Sequence, residues 1–116
     1  MQRDYKLYLN DIIEAIHRIE SYMTDLNKDE FSENSLYQDA VVRNLEIIGE
    51  AVKNIPKNFR KKNPDVEWKK IAGLRDILAH SYFGIDIDIV WDIMQNKIPE
   101  LKDQINLLLS KINKRH

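Results

Sequence analysis

The chain contains no cysteine, which removes disulfides, thiolate nucleophiles and cysteine zinc sites from consideration. Its histidines, His17, His80 and His116, are too scattered for an obvious metal motif, so metal-dependent chemistry is not expected. No apolar run approaches the roughly 20 residues of a membrane span. The first residues, Met-Gln-Arg-Asp-Tyr-Lys, also lack the apolar stretch of a secretory signal, and a cytoplasmic setting is the expectation. A net charge of -1 supplies no global pull towards nucleic acid.

Against these absences stand 43% hydrophobic and 32% charged residues, a balance that suits amphipathic helices and argues against disorder. The 116 residues read as one domain, 1–116, able to bury roughly two-thirds of its unfolded surface and helped by a self-association surface. Basicity is local. Lys57, Arg60, Lys61 and Lys62 precede Pro64, Lys69 and Lys70 follow, and Lys111, Lys114 and Arg115 close the chain. These segments make a basic rim if they meet in space; solvated helix ends account for the same residues.

Apolar positions from Tyr5 through Ile12, Ile16 and Ile19 to Leu26 recur at helical spacing and predict a long helix over 4–26. Residues 27–34 read as a short connection, with Ser32 or Ser35 available to cap the next helix. A second stripe, Leu36, Ala40, Val41, Leu45, Ile48, Ala51, Val52 and Ile55, runs to Pro56, which ends it. Arg43, Glu46 and Glu50 lie on another face, spaced for ion pairs. Gly49 and Gly73 suggest close approach of another backbone. Residues 57–65 form a turn of helix or an ordered loop, and a helical pattern over 66–79 leads into the chemically richest stretch. Beyond Gly84, Asp86 or Asp88 caps a further apolar helix. Pro99 fits the first turn of a last one, carrying Leu101, Ile105, Leu108, Leu109 and Ile112. The expected architecture is an all-α up-and-down bundle of four or five helices, dimeric.

The helix over 66–79 delivers Arg75, His80 and Tyr82. Arginine offers a permanent charge and a fork for phosphate oxygens, histidine exchanges a proton near neutral pH, and tyrosine offers a phenolic oxygen. RNA cleavage without metal needs a group to take the 2′-OH proton, an acid for the leaving oxygen, and positive charge for the developing phosphorane. On one straight helix His80 lies about 140° around from Arg75. Either the helix ends near Ala79 and the chain swings His80 back, or the site is composite across a two-fold axis. Each residue alone also has an ordinary structural use: a hydrogen-bonded histidine, an ion-paired arginine, a core tyrosine.

The spacing Arg75-x4-His80-x-Tyr82 resembles the RX4HXY signature of the HepT-like toxins, the DUF86 group of the HEPN superfamily. The likeness extends to Arg43-Asn-Leu-Glu-Ile-Ile-Gly-Glu-Ala51, the Ile55-Pro56 stop, Trp68-x-x-Ile-x-Gly-Leu-Arg75, and Ile89-Val-Trp-x-Ile93 leading to Ile98-Pro99-x-Leu101. The resemblance implies an all-α homodimer with an interface cleft, acting as a metal-independent endoribonuclease. It makes Arg75 and His80 the catalytic pair and gives Asp76 a supporting role, orienting Arg75 or a histidine across the dimer. It also implies a partner, a minimal nucleotidyltransferase antitoxin (MNT), that transfers AMP from ATP to Tyr82. The ATP and Mg2+ then belong to the partner, with no cofactor in this chain. An adenylylated Tyr82 would carry bulk and negative charge where RNA binds. The rival reading is a HEPN subunit that docks a nucleotidyltransferase or binds nucleotides without cutting RNA, to which the pI of 6.3 is congenial.

Overall fold

Apolar residues every three to four positions force the first long segment to bury one stripe, and that stripe defines the centre of the molecule. A computed structural model describes residues 4–79 and 86–114, with side chains for 4–74 and 86–113. Helix α1 (Tyr5–Met23) opens on Asp4, whose carboxylate accepts from the Lys6 amide at 3.0 Å. Its Leu9, Ile12, Ala15, Ile16 and Ile19 are buried, each large side chain contributing roughly 1.5–3 kcal/mol. Helix α3 (Ser35–Lys53) packs along it through Val41, Leu45, Ile48 and Val52.

The connection between them is itself ordered. Helix α2 (Lys28–Ser32) begins with a reciprocal cap, the Glu30 amide donating to Asn27 Oδ1 at 2.8 Å and the Asn27 amide to Glu30 Oε1 at 3.1 Å. It buries Phe31, whose ring lies 5.7 Å from that of Trp91. Asn34, rather than Ser32 or Ser35, caps α3 by accepting from the Tyr37 amide. Leu36, expected on the buried stripe, is 81% exposed, because at about 100° per residue it falls on the side of α3 away from Val41, Leu45 and Ile48.

Pro56 ends the α3 segment and opens α4 (Lys57–Lys62), a full helical turn and more. Helix α5 (Trp68–Ala79) packs on α3. After Asp86, helix α6 (Ile87–Asp92) passes through a π-helical stretch, Ile93–Lys97, directly into α7 (Ile98–Lys114), which packs on α1. The expectation of separate helices with Pro99 starting the last one is therefore corrected: Pro99 lies inside one continuous helical body. Its missing N–H and ring forbid a regular i→i−4 bond to the Gln95 carbonyl, and the π stretch absorbs that demand, with the Ile98 amide reaching back to the Ile93 carbonyl. The described residues thus form an all-α fold of six helical bodies, α6 and α7 counting as one, instead of four or five. None of their helices is long and apolar enough to cross a membrane.

Candidate functional site

Helix α5 is held from its N-terminal end. Trp68 is buried and donates from Nε1 to the Asn63 carbonyl at 2.9 Å, while Ile71, Ala72 and Leu74 pack against the core. This anchoring fixes the backbone of Arg75 and Asp76 on α5. Their side chains, and the whole of His80 and Tyr82, lie outside the described residues. On the far side of that stretch, Asp86 caps α6 by accepting from the Ile89 amide at 3.2 Å. Asp88, the other candidate cap, instead pairs with Lys28 of α2. That carboxylate, through its hydrogen bond and then its charge, raises the Lys28 ammonium above the usual lysine range. The segment carrying the motif is thus framed by a core-anchored helix before it and a capped, cross-linked one after it.

Three concave surfaces occur among the described residues. An open groove of about 360 Å³ is lined by Tyr8 and Asp11 of α1 and by Arg43, Glu46 and Glu50 of α3; among the described residues no ion pair joins Arg43 to Glu46, although their spacing allows one. A second, of about 370 Å³, runs between α5 and the π stretch, floored by Ile71, Leu74, Ile93, Ile98 and Leu101. Gly73 borders it, and a Cβ there would meet nothing within 4 Å among the described residues, so none of them makes the close approach anticipated for this glycine. At its rim Glu67 binds Lys70 at 3.1 Å and Lys97 at 3.8 Å. The Lys70 hydrogen bond, reinforced by both charges, holds the Glu67 carboxyl below the usual glutamate range.

The third concavity, about 730 Å³ and wide open, joins α4 to the start of α5 through Lys57, Arg60, Lys61, Lys69 and Lys70. Two of the three basic segments named from the sequence therefore do meet. No group of three or more His, Asp or Glu side chains suited to a metal ion occurs among the described residues. A feature the sequence reading did not single out is Asn44. It is the one buried polar side chain among the described residues, and its position three after Val41 and four before Ile48 on the α3 stripe is the signal that could have found it.

The family model described as Ribonuclease HepT-like matches residues 12–108. Among curated proteins, "Gamma-glutamylcyclotransferase and putative RNase MJ0434" of Methanocaldococcus jannaschii is 44% identical over 114 residues, which is 98% of this chain but 51% of that protein, so the chain spans about half of that relative. "Putative RNase MJ0127" of the same organism is 44% identical over 96% of the chain and 92% of its own length. "Probable ribonuclease HepT" of Thermococcus cleftensis is 43% identical over 93% of the chain and 98% of its own length. No solved structure matches significantly.

Proposed function

The chain belongs to the ribonuclease HepT-like family, and from that premise we propose that it is the toxin of a toxin–antitoxin pair, a metal-independent endoribonuclease whose cleft forms between two copies of the chain. The observation that carries this reading is the family match over residues 12–108, which contains the entire stretch from Arg75 to Tyr82. In the proposed reaction His80 takes the 2′-OH proton of RNA, the 2′ oxygen bonds to phosphorus, and the bond from phosphorus to the 5′ oxygen breaks. His80 of the partner subunit gives that leaving oxygen its proton. Arg75 clamps the scissile phosphate and stabilises the charge that builds on its oxygens. Asp76 orients Arg75. A two-fold arrangement answers the difficulty that Arg75 and His80 diverge on one straight helix.

Silencing is proposed to act on Tyr82. A nucleotidyltransferase partner directs its phenolic oxygen onto the α-phosphorus of ATP, pyrophosphate leaves, and the attached AMP fills the cleft with bulk and negative charge. The test is RNA cleavage in excess chelator, run on protein purified with and without the nucleotidyltransferase and checked by intact mass. Cleavage by the unmodified chain, lost in His80→Ala and lost when Tyr82 gains adenylate mass, is the expected result. A folded, unmodified dimer that does not cut RNA yet binds the nucleotidyltransferase tightly would instead make this chain a docking subunit.

A further inference from the structure

Residues 57–70 carry six cations against two carboxylates, in a chain whose total charge is -1. The fold gathers five of those cations on one concave surface. Lys70 is engaged by Glu67, whereas Lys57, Arg60, Lys61 and Lys69 make no ion pair among the described residues. Arg60 goes further: its Nε–H is buried without a hydrogen-bond partner, a deficit that a small shift of the guanidinium towards an anionic oxygen would relieve, and the arginine fork matches phosphate geometry.

The surface is also rigidly backed. Phe59 of α4 lies between Tyr5 and Trp68, its ring centroid 4.6 Å from the first and 6.3 Å from the second, and the Trp68 indole is tied to the Asn63 carbonyl. The floor of the surface is apolar, formed by Pro64 and the buried Val66 and Trp68, and cations ring it. The cationic rim is the feature that suits a polyanion. Helix α5 begins here with Lys69 and Lys70 and carries Arg75 about 9 Å further along its axis, so a strand held at Arg75 has this surface within a few nucleotides' reach.

We propose that the concave face of α4 and the first turn of α5, through Lys57, Arg60, Lys61 and Lys69, is an exosite for the phosphodiester backbone of an RNA strand. Its ligand class rests on the ribonuclease reading; its residues are separate from Arg75, His80 and Tyr82. The face grips phosphates beyond the scissile one, without reading sequence, and so confers affinity that falls steeply with salt.

The test is fluorescence anisotropy of a short labelled single-stranded RNA of mixed sequence, titrated at several salt concentrations on the full chain carrying His80→Ala so that the probe stays intact. Adding Lys57→Gln, Lys61→Gln and Lys69→Gln together is expected to weaken binding about tenfold or more at low salt. The same triple change should make the slope of log affinity against log salt shallower by about 2, from roughly 0.7 per single-strand phosphate contact. Lys28→Gln with Lys111→Gln, remote in sequence from the face, should leave that slope unchanged. An unaltered slope and affinity in the triple variant, folded by circular dichroism, overturns the proposal, as does an equal loss in the control pair. Full RNA affinity with lost binding to a nucleotidyltransferase would assign the face to a protein and also overturn it. A wild-type chain that binds RNA with the steeper slope but never cuts it defeats the ribonuclease reading and leaves the exosite standing.

Discussion

Arg18 on α1 donates from Nη1 to Oδ1 of Asn44 on α3 at 3.5 Å, across the largest helix interface among the described residues, while Asn44 Nδ2 donates to the Ala40 carbonyl at 2.9 Å. Asn44 is 4% exposed and Arg18 about half exposed, with Glu14 within 3.7 Å of its other guanidinium nitrogen. The two partners are therefore unequal. Asn44→Ala should cost about 1–3 kcal/mol, because it opens a gap in the buried interface and removes the amide's two hydrogen bonds. Arg18→Ala should cost roughly 1 kcal/mol or less, the bond being long and one end wet. Asn44→Leu should fall within about 1 kcal/mol of the parent, since it replaces the buried amide with apolar bulk and Arg18 can turn to Glu14 and water. Urea unfolding of the three variants checks the order; a Leu variant as weak as the Ala variant would show that the amide's bonds outweigh the burial of apolar bulk.

Phe59 should behave as the pin that holds α4 to the bundle. It is only partly buried, yet it joins Tyr5 of α1 to Trp68 of α5 through two ring contacts. Phe59→Ala should cost about 2–3 kcal/mol, below the 3–5 kcal/mol range of large aromatic deletions in full cores, whereas Phe59→Leu should recover at least half. Thermal unfolding followed by tryptophan fluorescence reads both, because Trp68 loses a neighbour in the first and keeps one in the second.

The ion pairs around Glu67 give a pH dependence with a definite sign. Lys70 first, and Lys97 after it, hold the Glu67 carboxyl below its ordinary value. A carboxylate with a depressed folded value stabilises the fold fully above its unfolded value of about 4.3 and loses that contribution as pH falls through the lower, folded one. Carboxyl NMR titration should find the Glu67 midpoint below that of a free glutamate, with Lys70→Met raising it more than Lys97→Met. High salt should narrow the difference, since all three side chains face solvent. An equal effect of the two lysines would contradict the hydrogen-bonded geometry with Lys70.

Much of this architecture is legible as period and punctuation. The stripes of α1 and α3, the stop at Pro56 and the Asp86 cap follow from local rules that tertiary packing happens to obey. The departures are physical. Leu36 is apolar by type, but its angle around α3 is roughly opposite that of Val41, Leu45 and Ile48, so it faces solvent. Asn44 is polar by type and buried by position, and only a partner from another helix reconciles the two. Residues 27–34 look like a loop because five-residue α2 is too short to show a period, although the Asn27 to Glu30 spacing of its capping box is present in the sequence. For the motif, the sequence names Arg75, Asp76, His80 and Tyr82 by spacing and resemblance. The fold adds the anchored helix that carries the first two and the capped helix that follows.

The π stretch offers the sharpest test of how this sequence sets its register. Ile93, Met94, Ile98 and Leu101 are all buried, yet Ile93 and Ile98 would lie about 140° apart on a regular α-helix. An i→i+5 repeat brings them onto a common face, and it does so immediately before Pro99, which cannot close a regular bond to Gln95. Deleting exposed Gln95 should convert the stretch to α-helix, leave Ile93 and Ile98 four apart and still inward, and place the proline in an unrelieved helix interior at a cost of about 3 kcal/mol. The same deletion combined with Pro99→Ala should regain most of that loss, while Pro99→Ala alone should change stability little, because the apolar register still calls for the wider turn. Chemical denaturation of the three variants, with helix content from far-UV circular dichroism, distinguishes the causes. If the deletion is as damaging with alanine at 99 as with proline, the π turn is maintained by the packing of Ile93 and Met94 and the proline merely tolerates it.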